Sequence, residues 1–349
     1  MPDTPGGTHR SLVATAPLRI DLAGGTLDIW PLYLLVEAAV TVNAAIDIYA
    51  RCRLEPGRDR RVEIRSRDRR VSARFSSPAR VRSRRGLELV AELAAHLRPE
   101  AGFRLETDCS APAGSGLGGS SALAIAVAAV LGRFSGRRLG GADLVRLCRD
   151  LEARVIRAST GTQDYLAALS GGWNAVHYGP GGYSLERLEV PPTLPVGRMM
   201  LWFTGRSRPS AAGNRDMLRR CLEGERGARM ALAGIARAAN GMRRALLRGD
   251  WEAVEECLRE EWRWRRRLSP EVGRGGVEEL IQAARRGGAA AGKPCGAGGG
   301  GCVLLLGREE RQEGLKAVLK AQGARLLPFR VVRRGLALKC LDARGPAPV

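Results

Sequence analysis

The chain has 349 residues, more than one hydrophobic core usually serves, so two domains of roughly 150 to 200 residues are expected. Hydrophobic residues make up 44% and charged residues 27%, which excludes an intrinsically disordered chain. The net charge of +21 rests almost wholly on arginine, since only Lys293, Lys316, Lys320 and Lys339 are lysines, a skew typical of coding composition; it suits small anions, whereas a polynucleotide groove needs separate evidence. Beyond a polar start, Leu18, Ile20 and Leu22 alternate with Arg19 and Asp21, predicting a strand that breaks at Gly24-Gly25. Alternation over 40–54 and again over 62–75 predicts antiparallel strands, residues 88–97 have helical spacing, and 103–107 mark another strand before a Pro-Gly-rich loop at 112–119. An alanine-rich helix follows, and Asp143 is placed to cap the next one, which carries Leu144, Leu147, Leu151 and Val155 on one side. A short helix over 164–169 ends at Gly171-Gly172. Glycine and proline cluster at 179–182 and 191–195, which sets the expected division at 1–190 and 191–349. A strand over 198–204, helices over about 214–247, 250–268 and 276–287, and a Gly-rich loop feeding a buried strand complete the second, mixed half.

The eight cysteines form no CxxC pair and no Cys/His zinc spacing, as expected of reduced thiols in a cytoplasmic protein. No signal peptide is visible, and the apolar stretches at 32–50 and 122–131 fail as membrane spans because the first contains Glu37, Asn43 and Asp47 and the second is too short.

The most informative segment is APAGSGLGGSSALAIAVAAVLG. Glycines at 114, 116, 118 and 119 let backbone N–H groups turn toward a phosphate, and the helix opening at Ser120 points its unpaired amides and positive dipole end at the same spot. Gly114, Gly116 and Gly119 also satisfy GxGxxG, yet no strand with a terminal acid follows, which argues against a dinucleotide fold. A Walker A loop needs Lys before Ser or Thr where Ser120 and Ser121 stand, and a nucleophile elbow needs a later histidine where only His177 follows. Phosphate binding remains the reading, against the plainer one of a linker or helix cap.

PAGSGLGGSSA resembles the second motif of the GHMP kinases, the family of galactokinase, homoserine kinase, mevalonate kinase and phosphomevalonate kinase. APLRIDLAGGTLD resembles the family's first motif, TGTQDYLAALSGGWN its catalytic-aspartate segment, and GKPCGAGGGGCVLLLG its third motif, in the family's order. LAGGTLD, FTGRSR and WRWRRRLSP are similar to the sugar-kinase branch with heptose 7-phosphate kinases and fucokinases. The resemblance implies an α+β fold of two domains, the N-terminal one like ribosomal protein S5 domain 2 and the C-terminal one ferredoxin-like, with ATP and acceptor meeting between them. It also implies transfer of the γ-phosphoryl group to a hydroxyl with Mg²⁺, on a small-molecule sugar or sugar phosphate, at the anomeric hydroxyl in the close branch; a homodimer is compatible with it.

On that resemblance Asp164 is the general base or the aligner of the acceptor hydroxyl, with Arg19 beside it to polarise the acceptor or steady the transferring phosphate. The nucleotide loop is Pro112, Gly114, Ser115, Gly116, Leu117, Gly118, Gly119, Ser120 and Ser121, and Mg²⁺ falls to Glu152 with Ser120, Ser121 being the understudy. Asp28, with Gly25, stands where the sugar branch binds acceptor hydroxyls, and Arg206 and Arg208 are candidate clamps for a phosphate already on the substrate. Gly296 and the glycines at 298–301 are expected to support these loops by close backbone packing. Without the family, Asp164 reads as a helix N-terminal residue, Asp28 as a turn residue, and Glu152, Arg19, Arg206 and Arg208 as solvated charges. Two alternatives stay open: a non-sugar alcohol such as mevalonate or homoserine as acceptor, and a basic nucleic-acid-binding protein that uses the arginines of 58–85 and Trp262, Arg263, Trp264 and Arg265. Against the latter, Trp251, Val254, Leu258 and Trp262 recur at helical spacing, as a core stripe does.

Overall fold

In the computed structural model, which describes residues 10–206 and 211–341, the 18–22 alternation is the centre of a longer strand, β1 (Ser11–Ala23). Its first residues alternate between half-buried and buried, and from Ala16 onward both faces are covered. The sheet around it contains β2 (Ala39–Pro56), β3 (Val62–Ser66), β4 (Val71–Phe75), β5 (Phe103–Cys109), β6 (Trp173–Gly179), β7 (Gly182–Leu188) and the late strand β12 (Ala337–Leu341). Its order is β12-β1-β2-β5-β3-β4, with β6 pairing the early part of β2 and β7 beyond it. The 62–75 stretch is thus a hairpin, β3–β4, turned by residues 67–70.

Four helices accompany this sheet: α1 (Glu88–Leu97), α2 (Gly119–Phe134), α3 (Gly141–Ile156) and α4 (Gln163–Ser170). The small side chains of α2 let it lie directly on β1 and β2, and Ala122, Ile125, Val127 and Val130 are fully buried there. Burying a residue of the size of Ile125 or Val127 contributes about 1.5–3 kcal/mol. Asp143 does not cap α3; the N-cap is Gly140, and Asp143 sits in the first turn, where its charge suits the helix dipole.

The second half begins with β8 (Met199–Phe203) and runs through α5 (Ala211–Leu222), α6 (Arg226–Arg248), α7 (Trp251–Leu268) and α8 (Val277–Arg286). The helical stretch expected over 214–247 is two helices, because Gly224 at φ +81° interrupts it. Then come β9 (Ala289–Pro294), β10 (Cys302–Gly307), α9 (Gln312–Ala321) and β11 (Arg325–Leu327). The antiparallel order β11-β8-β10-β9 is that of a ferredoxin-like βαββαβ unit, here with a set of helices in its first crossover. Asp250 caps α7 by accepting from the Ala253 amide at 3.0 Å, and Trp251, Val254, Leu258 and Trp262 are buried, so the aromatic stripe is core. No described helix is long and apolar enough to cross a membrane.

One apolar cluster runs through both halves, and past β11 the chain returns to lay β12 on the edge of β1, Ser11 opposite Leu341. Four buried charges cross the same boundary. Lys293 of β9 meets Asp21 Oδ2 at 2.9 Å and Glu261 Oε2 at 3.2 Å, while Arg265, one turn along α7, meets Glu261 Oε1 at 2.9 Å and Asp21 Oδ2 at 3.7 Å. Two positive and two negative groups leave the quartet neutral. Lys293→Met should therefore destabilise the protein by about 3–5 kcal/mol, since a carboxylate would be left buried without its partner. A guanidinium-chloride midpoint within error of wild type would show that the quartet does not hold the two halves together.

Candidate active site

Between the halves lies a cleft of about 360 Å³ whose walls include Arg19, Asp28, Asp164, Glu152, the 112–121 turn and Gly296 to Gly298. The turn takes its shape from Gly116 and Gly118, both with φ near +75° (+75° and +73°), a region where an L side chain is strained. A methyl group on Gly116 would overlap the Cys295 carbonyl oxygen, and one on Gly301 would lie 2.8 Å from the Gly114 and Ser115 carbonyl oxygens. The two Gly-rich loops therefore touch backbone to backbone, sealed by the Cys302 amide donating to Ser115 O at 2.7 Å. The C-terminal loop props the N-terminal one, as the sequence suggests.

Gly118 is the N-cap of α2 and no side chain caps that end, so the first-turn amides of Gly119, Ser120 and Ser121 are free of helix partners. Leu117 points the other way, fully buried in the core, with its carbonyl accepting from the Arg19 amide at 3.1 Å. Pro112, Gly114, Ser115, Gly116, Gly118, Gly119, Ser120 and Ser121 line the cleft.

Arg19, 3% exposed, joins this turn to Asp164. Its Nε and Nη2 both meet Asp164 Oδ1 at 2.7 Å, and its Nη1 donates to Gly116 O at 2.6 Å. Burial opposes the Arg19 charge, but Asp164 and Asp21 outweigh it and raise its pKa. Both guanidinium contacts fall on Oδ1 and neither on Oδ2. The carboxylate lies against the turn itself, since a methyl on Gly118 would come within 3.1 Å of it.

Glu152 of α3 is buried at the neighbouring wall, its Oε2 accepting from Ser121 Oγ at 3.1 Å and from the Tyr165 hydroxyl. Burial raises its pKa, while the hydroxyls of Ser120, Tyr165 and Ser121 pull the other way. Hard oxygen donors, few in number, suit Mg²⁺, which keeps waters and phosphate oxygens as its remaining ligands. Among the described residues no group of three or more His, Cys, Asp or Glu side chains could hold a metal alone.

Asp28 sits on the third wall, 8% exposed, packed on Gly161 and accepting from the Gln163 amide at 3.2 Å. Burial, with the nearby Asp164 charge, pushes its pKa up to about 6. Gly25 is adjacent, where a side chain would collide with Asp21 and Arg265. Arg206 is exposed and away from the cleft walls, its carbonyl anchoring the Gly301 amide at 2.8 Å; Arg208 lies outside the described residues.

Asp21, Thr26, Tyr165, Glu261, Arg265 and Lys293 carry no site role in the sequence motifs, yet they pack around the site. One signal was there for Lys293: a lysine in a chain whose basic residues are nearly all arginine, and it is 1% exposed.

Residues 86–172 match the family described as GHMP kinases N terminal domain, and residues 242–325 match GHMP kinases C terminal. The chain is 27% identical over 288 residues to the D-glycero-alpha-D-manno-heptose 7-phosphate kinase of Campylobacter jejuni, covering 79% of this chain and 83% of that one. It is 27% identical over 189 residues to the bifunctional fucokinase/GDP-fucose pyrophosphorylase of Arabidopsis thaliana, covering 52% and 18%. The crystal structure of a D-glycero-D-manno-heptose 1-phosphate kinase from Bacteroides thetaiotaomicron superposes with a TM-score of 0.75 at 25% identity, over 94% of this chain and 98% of that one.

The raised pKa of Asp28 has a definite sign. The folded state holds this proton more tightly than the unfolded chain, so its contribution to stability falls as pH rises from about 4 to about 6. Asp28→Asn should stabilise the fold by up to about 3 kcal/mol near pH 8, with the gain vanishing below about pH 4. Denaturant titrations of both proteins across that range check it.

Proposed function

The chain belongs to the GHMP kinase family of phosphotransferases, and from that premise we propose that it transfers the γ-phosphoryl group of ATP to the anomeric hydroxyl of a sugar or sugar phosphate. The observation that carries this reading is the placement of Asp164: Arg19 holds its carboxylate against the Gly118 turn, in the same cleft as Asp28. A donor phosphate on the free amides of α2 and an acceptor hydroxyl at Asp164 would then be neighbours. Phosphoryl transfer asks mainly for such positioning and for charge neutralisation.

In this reading the acceptor oxygen attacks the γ-phosphorus, the bond to the bridging oxygen breaks, ADP leaves, and the hydroxyl proton passes to Asp164 Oδ2. Arg19 stays on Oδ1 and holds the carboxyl group aligned. Ionised Asp28 accepts hydrogen bonds from two neighbouring acceptor hydroxyls, which favours a polyol over mevalonate or homoserine. Relatives named for heptose phosphate and fucose support the same class. We assign Mg²⁺ binding to Glu152 and Ser120, and when bound the ion neutralises charge on the triphosphate. We also propose that 1–190 and 191–349 are the two functional units, supported by the separate strand orders of the two sheets, with β12 crossing back to the first.

Asp164→Asn should lower kcat about 10²- to 10⁴-fold while the KM for ATP stays within about threefold. Glu152→Gln should instead raise the Mg²⁺ concentration needed for half-maximal rate, by about 10-fold or more. ADP release measured with heptose phosphate, fucose, galactose, mevalonate and homoserine tests the acceptor class; turnover with mevalonate alone would overturn the sugar assignment.

A further inference from the structure

We propose that Arg265 is a positioning residue for the acceptor: from the second half of the chain it clamps the 24–28 turn of the first half in a strained backbone conformation that presents Asp28 to the substrate. The inference rests on the reading of Asp28 as an acceptor-binding carboxylate.

The strain is at Thr26. Its φ is +90°, and for a β-branched residue the left-handed region is costly, held only where the surroundings over-determine it. Arg265 supplies that determination. Its Nη1 donates to Thr26 Oγ1 at 2.6 Å and its Nη2 to Gly25 O at 2.6 Å, two short contacts on consecutive residues of the turn. The guanidinium cannot drift, because Nε and Nη2 also meet Glu261 Oε1 at 3.2 and 2.9 Å, and Glu261 is held by Lys293 at 3.2 Å. A planar fork with fixed donors suits this task, and an ammonium would not reproduce it.

Leu27 anchors the turn in the core, fully buried, but no other side chain donates to the Gly25 carbonyl or the Thr26 hydroxyl among the described residues. The turn's internal hydrogen bonds are Leu27 N to Gly24 O at 3.0 Å and Ile29 N to Thr26 O at 3.1 Å. Gly25 has no side chain to brace it; any Cβ there would fall 2.6 Å from Asp21 Oδ2 and 2.7 Å from Arg265 Nη2. Asp28 follows two residues later and reaches α4, the helix that carries Asp164, through the Gln163 amide. The shape of the acceptor wall thus depends on a side chain of α7, so docking of the two halves and acceptor recognition are one event.

The test compares Arg265→Met, Thr26→Gly and the double variant by hydrogen exchange at the Leu27 and Ile29 amides and by KM for the acceptor, with heptose phosphate as the probe, and for ATP. Arg265→Met should speed exchange at both amides about 10- to 100-fold and raise the acceptor KM by a similar factor, the range for a lost hydrogen bond from a charged group, with the ATP KM within about twofold. Adding Thr26→Gly should restore most of both, because glycine occupies φ +90° without a clamp. A purely structural role for Arg265 in α7 would not be rescued this way. If Arg265→Met fails to fold, the Thr26 series decides: Thr26→Val, which keeps the strain and loses the hydroxyl, should loosen the turn, and Thr26→Ser should retain wild-type protection. Wild-type exchange in Arg265→Met or Thr26→Val overturns the clamp and leaves the acceptor reading standing. Faster exchange with an unchanged acceptor KM overturns the positioning role alone; an unchanged acceptor KM in Asp28→Asn would overturn the reading of Asp28.

Discussion

The guanidinium of Arg19 meets the Asp164 carboxylate with two nitrogens and the Gly116 carbonyl with the third, and so sets the distance between a carboxylate and a glycine turn that are remote in sequence. Burial opposes its charge while Asp164 and Asp21 favour it, so the three groups form one electrostatic unit. A site that works by positioning needs such a fixed spacing more than it needs many reactive groups. Of the carboxylates that line the cleft, Asp164 lies at the turn, Asp28 on the third wall, and Glu152 among the hydroxyls of Ser120, Ser121 and Tyr165.

That spacing holds only if the halves of the chain dock in one way. Two devices secure the docking. Glycines at 116 and 301 remove the side chains that would keep the loops apart, allowing carbonyl and amide to meet directly. The quartet of Asp21, Glu261, Arg265 and Lys293 adds direction more than net stability, since desolvating four charges offsets most of what their attraction returns. An apolar interface of the same area could slide; one with paired buried charges cannot without stranding them. Asp21 Oδ1, buried without a hydrogen-bond partner, marks the cost of that arrangement.

Much of the fold could be read from local pattern. The alternations at 40–54 and 103–107, the core stripe of α7 and the apolar α2 all fall where periodicity places them, because each is decided by which face meets the core. The glycine turn was legible for a similar reason: its conformation is written in residues that are neighbours in the chain. Where the reading slipped, a neighbour-level cue was overridden. Asp143 has the chemistry of a cap but lies inside the first turn, and Gly224 at positive φ divides a run whose side chains are helical on both sides.

The sequence by itself determined the order of elements, the glycine turn and the family resemblance that singled out Asp164, Glu152 and Asp28, since these rest on residue type and spacing along the chain. Only the tertiary structure decided what surrounds them. That Arg19 grips Asp164, that burial and Asp164 raise the Asp28 pKa to about 6, and that Arg265 and Lys293 are interior cations follow from contacts between residues far apart in sequence. Charge–charge energy and desolvation depend on distance and burial in space, and a linear spacing carries neither.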